Sequence, residues 1–253
     1  MKNPQWYKKI WTLDIKNQSW VEDTSNQVEF IVKTLGLNGK EKVLDLACGF
    51  GRHSLLLAKL GYDVTGVDIT KEYIIDAKNE SQKMELKINF IHDDIRNIKF
   101  VDEFDVVLNL ADGAIGYLEN DEENLKIFDV ISKSLKYDGK HFMDICNADH
   151  AERYFPKKHW QIGEKSLALA QFDWNSNSRQ MRYAGCNIPY DEIAKKPTIN
   201  IENVNPYRLY SLEEVKKIFG QRNMKVISTF SNYNGKQSTD KELQLLVYSR
   251  KGK

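Results

Sequence analysis

Residues 43–68, VLDLACGFGRHSLLLAKLGYDVTGVD, restrict the possible folds of this chain more than any other stretch. Val43-Leu44-Asp45-Leu46 reads as a buried strand carrying an acid near its end. Ala47-Cys48-Gly49-Phe50-Gly51 then supplies a backbone able to turn sharply, since glycine permits positive φ. From His53 to Leu60 the apolar residues Leu55, Leu56, Leu57, Ala58 and Leu60 have helical spacing. Tyr62 to Val67 alternates into a second strand that ends in Asp68. Strand, glycine loop, helix, strand and acid make one β-α-β unit with a nucleoside-type pocket at its top.

A ligand can lie against bare main chain only where side chains are absent, and Ala47, Gly49 and Gly51 meet that need. The helix begins near Arg52, so its free N–H groups face the loop. Asp68 is placed to accept hydrogen bonds from a ribose diol. A dinucleotide fingerprint reads G-x-G-x-x-G. Here the match is Ala47-x-Gly49-x-Gly51-x-x-Ser54, with the first and last glycines shifted or missing. Asp45 discriminates further. It sits at the mouth of the loop, where a pyrophosphate wants positive dipole and no carboxylate. A cofactor carrying an ammonium and a sulfonium tolerates or prefers that acid, and those are the groups of S-adenosylmethionine (SAM).

Asp45-Leu46-Ala47-Cys48-Gly49-Phe50-Gly51 resembles the D-x-G-x-G-x-G loop of class I SAM-dependent methyltransferases, with Ala47 at the first glycine. That departure adds one methyl and matters only if the position needs positive φ. The resemblance covers residues 40–150 well and the C-terminal strands loosely. It implies an α/β fold: a Rossmann-like sheet with helices on both faces and an antiparallel last strand. Asp94-Ile95 resembles the family's acid–hydrophobe pair. By that resemblance Asp94 accepts from the adenine amino group, while Ile95 offers its N–H to a ring nitrogen and packs on the ring. The other reading is that Asp93 and Asp94 cap a short helix. Ile69 is expected to cover the second adenine face. In the family, the backbone at Asn109-Leu110-Ala111 lies near the methionine part of SAM, and Asn109 is the side chain expected there. A strand-end asparagine capping its own turn is the alternative. Asn109-Leu110-Ala111-Asp112 does not match the N/D-P-P-Y motif, which weighs against a DNA or glutamine substrate.

The rest of the chain continues the α/β alternation. Residues 1–40 read as a helical cap ending at Gly36, and their cluster Trp6, Tyr7, Trp11 and Trp20 either packs on the core or closes over the cofactor. Residues 41–150 form the SAM-binding core. Within it, 71–83 is helical, 88–91 and 104–109 are strands, 125–135 is a helix stopped by Asp138-Gly139, and 140–146 is a strand. Residues 151–206 read as an inserted antiparallel β lid, with strands at 166–172, 179–188 and 198–204. Its Phe172, Trp174, Tyr183 and Tyr190 either wall an acceptor pocket or simply pack the small sheet. Residues 207–253 complete the core sheet, with a capping box at Ser211 and Glu214 and two final strands around Asn234-Gly235.

A length of 253 residues with 41% apolar content suits one domain with an insertion. A net charge of +1 makes nucleic acid an unfavoured partner. Cys48, Cys146 and Cys186 lack C-x-x-C spacing, so no metal site is expected and a reducing, cytoplasmic setting is the simplest reading. No run approaches the roughly 18 apolar residues of a membrane span. The leading expectation is methyl transfer to an N or O atom of a small molecule. The alternatives are a tRNA or protein methyltransferase and a SAM-binding module without activity. An NAD-dependent oxidoreductase is disfavoured by Asp45 and the loop spacing. His53, His141, His150, His159, Tyr117 and Tyr183 are possible bases, none marked out by spacing, and oligomeric state is not legible.

Overall fold

Val43, Leu44 and Leu46 are fully buried, so the strand that holds them is covered on both faces, as a parallel α/β sheet requires. The structure is a computed structural model that describes residues 5–163, 166–192 and 199–252. Two 3-10 turns, Trp6–Lys8 and Leu13–Asn17, open the chain and lead to α1 (Ser19–Glu22) and α2 (Thr24–Leu35). Gly36 stops α2 in the left-handed conformation, at φ 57°. The core then alternates through β1 (Lys42–Leu46), α3 (Arg52–Lys59), β2 (Asp63–Asp68), α4 (Lys71–Lys83), β3 (Asn89–His92), β4 (Phe104–Asn109), α5 (Asp121–Ser134) and β5 (Leu135–Cys146). After it come α6 (Ala148–Tyr154), β6 (Lys157–Ile162), β7 (Ser166–Asn175), β8 (Gln180–Pro189) and β9 (Tyr207–Arg208). The chain closes with α7 (Leu212–Gly220), β10 (Met224–Phe230) and β11 (Gln244–Lys251).

Seven strands form the main sheet in the order β10-β11-β5-β4-β1-β2-β3. All neighbours are parallel except β11, which runs against both β5 and β10. From β1 the chain steps outward to β2 and β3, then returns to place β4 on the other side of β1. That reversal opens a crevice above the carboxyl ends of β1 and β4. On one sheet face Leu44, Leu46 and Val107 pack with Phe128, Ile131 and Phe219 of α5 and α7. On the other, Val43 and Val106 pack with Val28, Ile31 and Leu57 of α2 and α3. Each such side chain contributes about 1.5–3 kcal/mol through burial.

The second sheet has the order β6-β7-β8-β9 and rests on α6 through Met181, Phe172 and Trp174. The capping box at the start of α7 is present: Ser211 Oγ accepts from Glu214 N at 3.2 Å, and Glu214 Oε2 accepts from Ser211 N at 2.8 Å. Arg179 and Arg208 also pair with Glu214, which ties the end of the second sheet to α7.

Three readings change. Residues 199–204 are not a strand, and Thr198 lies outside the described residues. Asn200 Oδ1 accepts from Glu202 N at 3.2 Å and folds Ile201–Asn203 into a 3-10 turn, a local bond that outcompetes the period-two pattern. Asp138-Gly139 does not stop the helix. α5 ends at Ser134, and the pair lies in a bulge of β5 between Leu135 and Lys140, with Asp138 at φ 62°. Strand β6, absent from the sequence reading, pairs with β7 from Lys157↔Phe172 to Ile162↔Leu167.

Candidate active site

The crevice is an open cavity of about 930 Å³, with the solvent at its mouth included. Its floor is the loop between β1 and α3. Ala47, Gly49 and Gly51 have φ values of 57°, 57° and 79°. Ala47 therefore occupies the left-handed region that glycine tolerates and alanine resists. The loop is held by Cys48 N donating to Val67 O at 3.0 Å and Gly51 N to Cys48 O at 3.0 Å. A Cβ on Gly51 would lie 2.8 Å from Phe90 Cζ and 3.0 Å from Ala77 Cβ. Gly51 thus lets α4 and β3 pack behind the loop, and it does not line the cavity.

Asp68, at the end of β2, fastens the loop. Its Oδ2 accepts from Gly49 N at 2.8 Å and its Oδ1 from Thr70 N at 2.8 Å. Burial pushes its pKa up, and the two backbone donors pull against that shift. Asp45 is 1% exposed and accepts from Ser54 Oγ at 2.6 Å. Burial raises its pKa to about 6 despite that bond.

All the expected positions except Gly51 and Asn109 line the cavity. Ile69 and Ile95 stand at the ends of β2 and β3 as apolar walls. Asp94 lines it too and also caps the turn Ile95–Asn97 through Arg96 N at 3.0 Å. Arg96 side-chain nitrogens grip both Asp94 oxygens, at 2.9 and 2.6 Å; with the bond from Arg96 N, three of a carboxylate's roughly four acceptor sites are taken and one, on Oδ2, is left. Asn109 is fully buried beneath the following turn, where its Nδ2 donates to Leu46 O at 3.1 Å and Gly113 O at 2.9 Å. Its role here is to hold that turn, and Leu110, Ala111, Gly113 and Ala114 face the cavity in its place.

The N-terminal aromatics reach the site. Trp11 lines the cavity and stacks on Tyr117 at 5.9 Å, and Trp20 lies under the Arg52 guanidinium at 5.0 Å. Tyr73 Oη donates to Thr12 O at 2.9 Å. Tyr7 donates to Glu119 at 2.9 Å and accepts from Arg96 at 3.1 Å, joining this segment to the loop before α5. Of the candidate bases, His53 and Tyr117 line the cavity. Burial drives the His53 pKa well down, and the neighbouring Arg52 charge adds to that. Its Nε2 lies 2.9 Å from Gln27 Oε1. His141 is buried against Ser249, His150 meets Asp240 O, and Tyr183 is exposed on β8. Phe172 stacks on Phe155 at 4.9 Å and Trp174 donates to Glu152 at 2.6 Å, so these β7 aromatics pack on α6 and the residue that follows it. Arg52, Thr70 and Tyr73 also line the cavity and carry no motif that marks them in advance.

The sheet order, the crevice and the loop flanked by Asp45 and Asp68 define a nucleoside-binding α/β protein. The family described as "Methyltransferase domain" matches residues 37–205, and the chain belongs to that family. A glycine/sarcosine N-methyltransferase of Aphanothece halophytica is 31% identical over 133 residues, covering 52% of this chain and 50% of that one. The chain matches about half the length of its curated relatives. A SAM-dependent methyltransferase structure from Clostridium acetobutylicum superposes with a TM-score of 0.74 at 18% identity, covering 94% of this chain and 97% of that one. The sugar N-methyltransferase KedS8 of Streptoalloteichus superposes at 0.66 with 14% identity, over 96% and 94%. At these identities the structural likeness is one of fold.

Proposed function

We propose that this protein is a SAM-dependent methyltransferase acting on an N or O atom of a small molecule. The observation that carries the reading is the crevice itself, where Asp68, Ile69, Asp94 and Ile95 gather above a loop of exposed main chain. A Cβ placed on Gly49 would touch nothing closer than Tyr73 Cδ2 at 3.9 Å, so the loop leaves open space for an adenosyl group. In this reading Asp68 accepts from the ribose hydroxyls, Ile69 and Ile95 enclose the adenine, and Asp94 accepts from its amino group. Asp45 lends negative potential to the loop mouth, which suits a ligand bearing ammonium and sulfonium. Bound SAM supplies a methyl group already activated on positive sulfur. The protein's task is then to align the acceptor with that methyl at about 3 Å, so positioning dominates.

Residues 1–40 serve as a cap and residues 151–206 as a roof for the acceptor side, while 41–150 and 207–253 build the sheet. The contact of Tyr207 with Tyr117, at 4.9 Å, supports that arrangement. The names of the relatives, a glycine/sarcosine and a sugar N-methyltransferase, support a small acceptor. No helix among the described residues is long and apolar enough to cross a membrane, and three free cysteines support a cytoplasmic setting. The test is transfer of labelled methyl from SAM into separated metabolite, RNA and protein fractions. Label should enter the small metabolites; label confined to RNA or protein would overturn the reading.

A further inference from the structure

Arg52 is the one lysine or arginine among the described residues that line the cavity. It is the first residue of α3 and stands directly after the glycine loop. Its Nη1 donates to Thr24 Oγ1 and to Gln27 Oε1, each at 2.6 Å, and both acceptors belong to α2. Its guanidinium lies 5.0 Å from the ring of Trp20, which lines the same cavity. Two bonds and one aromatic ring thus fix the plane of the group. Among the described residues no hydrogen bond engages Nε or Nη2, the pair that forms the side edge of the fork. That edge meets a carboxylate with two parallel bonds.

The group is also short of a counter-charge. Among the described residues Arg52 makes no ion pair. The acids whose charge reaches it bond elsewhere: Asp45 accepts from Ser54, Asp144 from Tyr233 and Asp23 from Asn26. A cation withdrawn from water is unfavourable until an anion joins it. The surroundings hold it in one place all the same. Arginine can only donate, so its bond to Gln27 fixes the amide with the oxygen facing Arg52. The same oxygen lies 2.9 Å from His53 Nε2, which therefore carries the proton and donates. The amide nitrogen donates to Trp20 O at 3.4 Å. Gln27 and His53 are 6% and 4% exposed, and burial keeps His53 neutral. Tying α3 to α2 needs a single N–H donor; it needs neither a charge nor an open fork on the cavity wall.

We propose that Arg52 determines specificity in the crevice by binding a ligand carboxylate, and that Thr24, Gln27 and His53 are the positioning residues that orient it. This rests on the methyltransferase reading above and deepens it. His53 then acts as a fixed neutral donor to Gln27, and the base, where the acceptor needs one, is another group. An amino-acid end group suits the place, since Asp45 lines the same cavity and favours the ammonium that accompanies such a carboxylate. Ile69, Asp94 and Ile95 stand at the ends of β2 and β3, whereas Asp144, whose charge reaches Arg52, is on β5. Arg52 therefore serves the part of the ligand that lies across β1 from the adenine. A carboxylate arrives there either on SAM or on the acceptor, and the two sources give different binding results.

The test is calorimetric titration of the full chain with S-adenosylhomocysteine and with its decarboxylated form, which lacks only the carboxylate. With SAM as the source, the wild type should bind the carboxylated compound at least about 30-fold more tightly. Arg52→Gln should shrink that preference to within about threefold by weakening the carboxylated compound alone. Gln27→Met removes the oxygen that orients Arg52 and should narrow the preference about tenfold, which a merely structural role would not do. Should Arg52→Gln fail to fold by circular dichroism, Arg52→Lys replaces it: the charge stays, the fork is lost, and the preference should fall about tenfold. Equal wild-type affinity for the two compounds makes the acceptor the source. Acetate or benzoate should then bind the S-adenosylhomocysteine-loaded wild type and not the Arg52→Gln protein. A preference that survives Arg52→Gln, or equal affinities with neither acid bound, would overturn the assignment. Absence of S-adenosylhomocysteine binding to the wild type would instead overturn the methyltransferase reading itself.

Discussion

Replacing Asp68 with asparagine keeps the side chain's shape and removes its charge. The carboxylate now serves two backbone donors, Gly49 N and Thr70 N, each at 2.8 Å. An amide has one acceptor oxygen, so one of those N–H groups would face an NH2 group. A buried donor left unpaired costs about 1–3 kcal/mol. Relief from burying a charge offsets part of that, because burial already pushes the Asp68 pKa up. The expected net loss of stability is therefore roughly 1–2 kcal/mol. Cofactor affinity loses more. Two hydroxyl bonds to a charged acceptor become bonds to a neutral one, at about 1 kcal/mol each, or roughly 30-fold in Kd. Calorimetric titration with S-adenosylhomocysteine, with circular dichroism to verify the fold, measures both effects. A folded Asp68→Asn protein that binds within about threefold of wild type would refute the ribose assignment.

Ala47→Gly removes a Cβ from a left-handed residue at φ 57°. Relief of strain exceeds the added unfolded-state entropy by about 0.5 kcal/mol, so the melting temperature should rise by about 1–2 °C, and a fall would contradict the strain argument. Asp45 and Asp144 have folded-state pKa values of about 6 and about 7, both above the ordinary 3.8. The folded state therefore holds more protons than the unfolded one between pH 4 and 7. The stability these groups add is full below about pH 4 and is lost as pH rises through about 7. Urea unfolding of the ligand-free protein should show it, and Asp144→Asn should flatten the slope. Arg96→Ala would leave Asp94, Glu119 and Glu123 facing one another without the guanidinium that joins them and Tyr7. Stability should fall by about 3 kcal/mol, and limited proteolysis should cut faster before residue 23.

The β1–loop–α3–β2 unit was legible because its information is local: buried aliphatics, glycines and two acids in a fixed frame. The same holds for the capping box at Ser211. What the sequence concealed is non-local. Strand β6 is polar and exposed, and it exists only through its pairing with β7. The alternation at 198–204 lost to the Asn200 side chain. Asn109 stands at the right height on β4, but the left-handed turn after it buries the side chain and presents Ala111 and Gly113 to the cavity. No spacing rule predicts four consecutive positive φ angles in such a sequence. Trp11, Arg52, Tyr73 and Tyr117 come from four separate segments, so only the fold brings them to one wall.

A crystal structure of the protein grown with S-adenosylhomocysteine tests the central claim most directly. The account predicts adenine between Ile69 and Ile95, ribose hydroxyls on Asp68, and the sulfur directed toward the turn at Ala111–Gly113. A nucleoside bound elsewhere, or a crevice that Trp11 and Tyr117 fill while the compound saturates the protein, would contradict it.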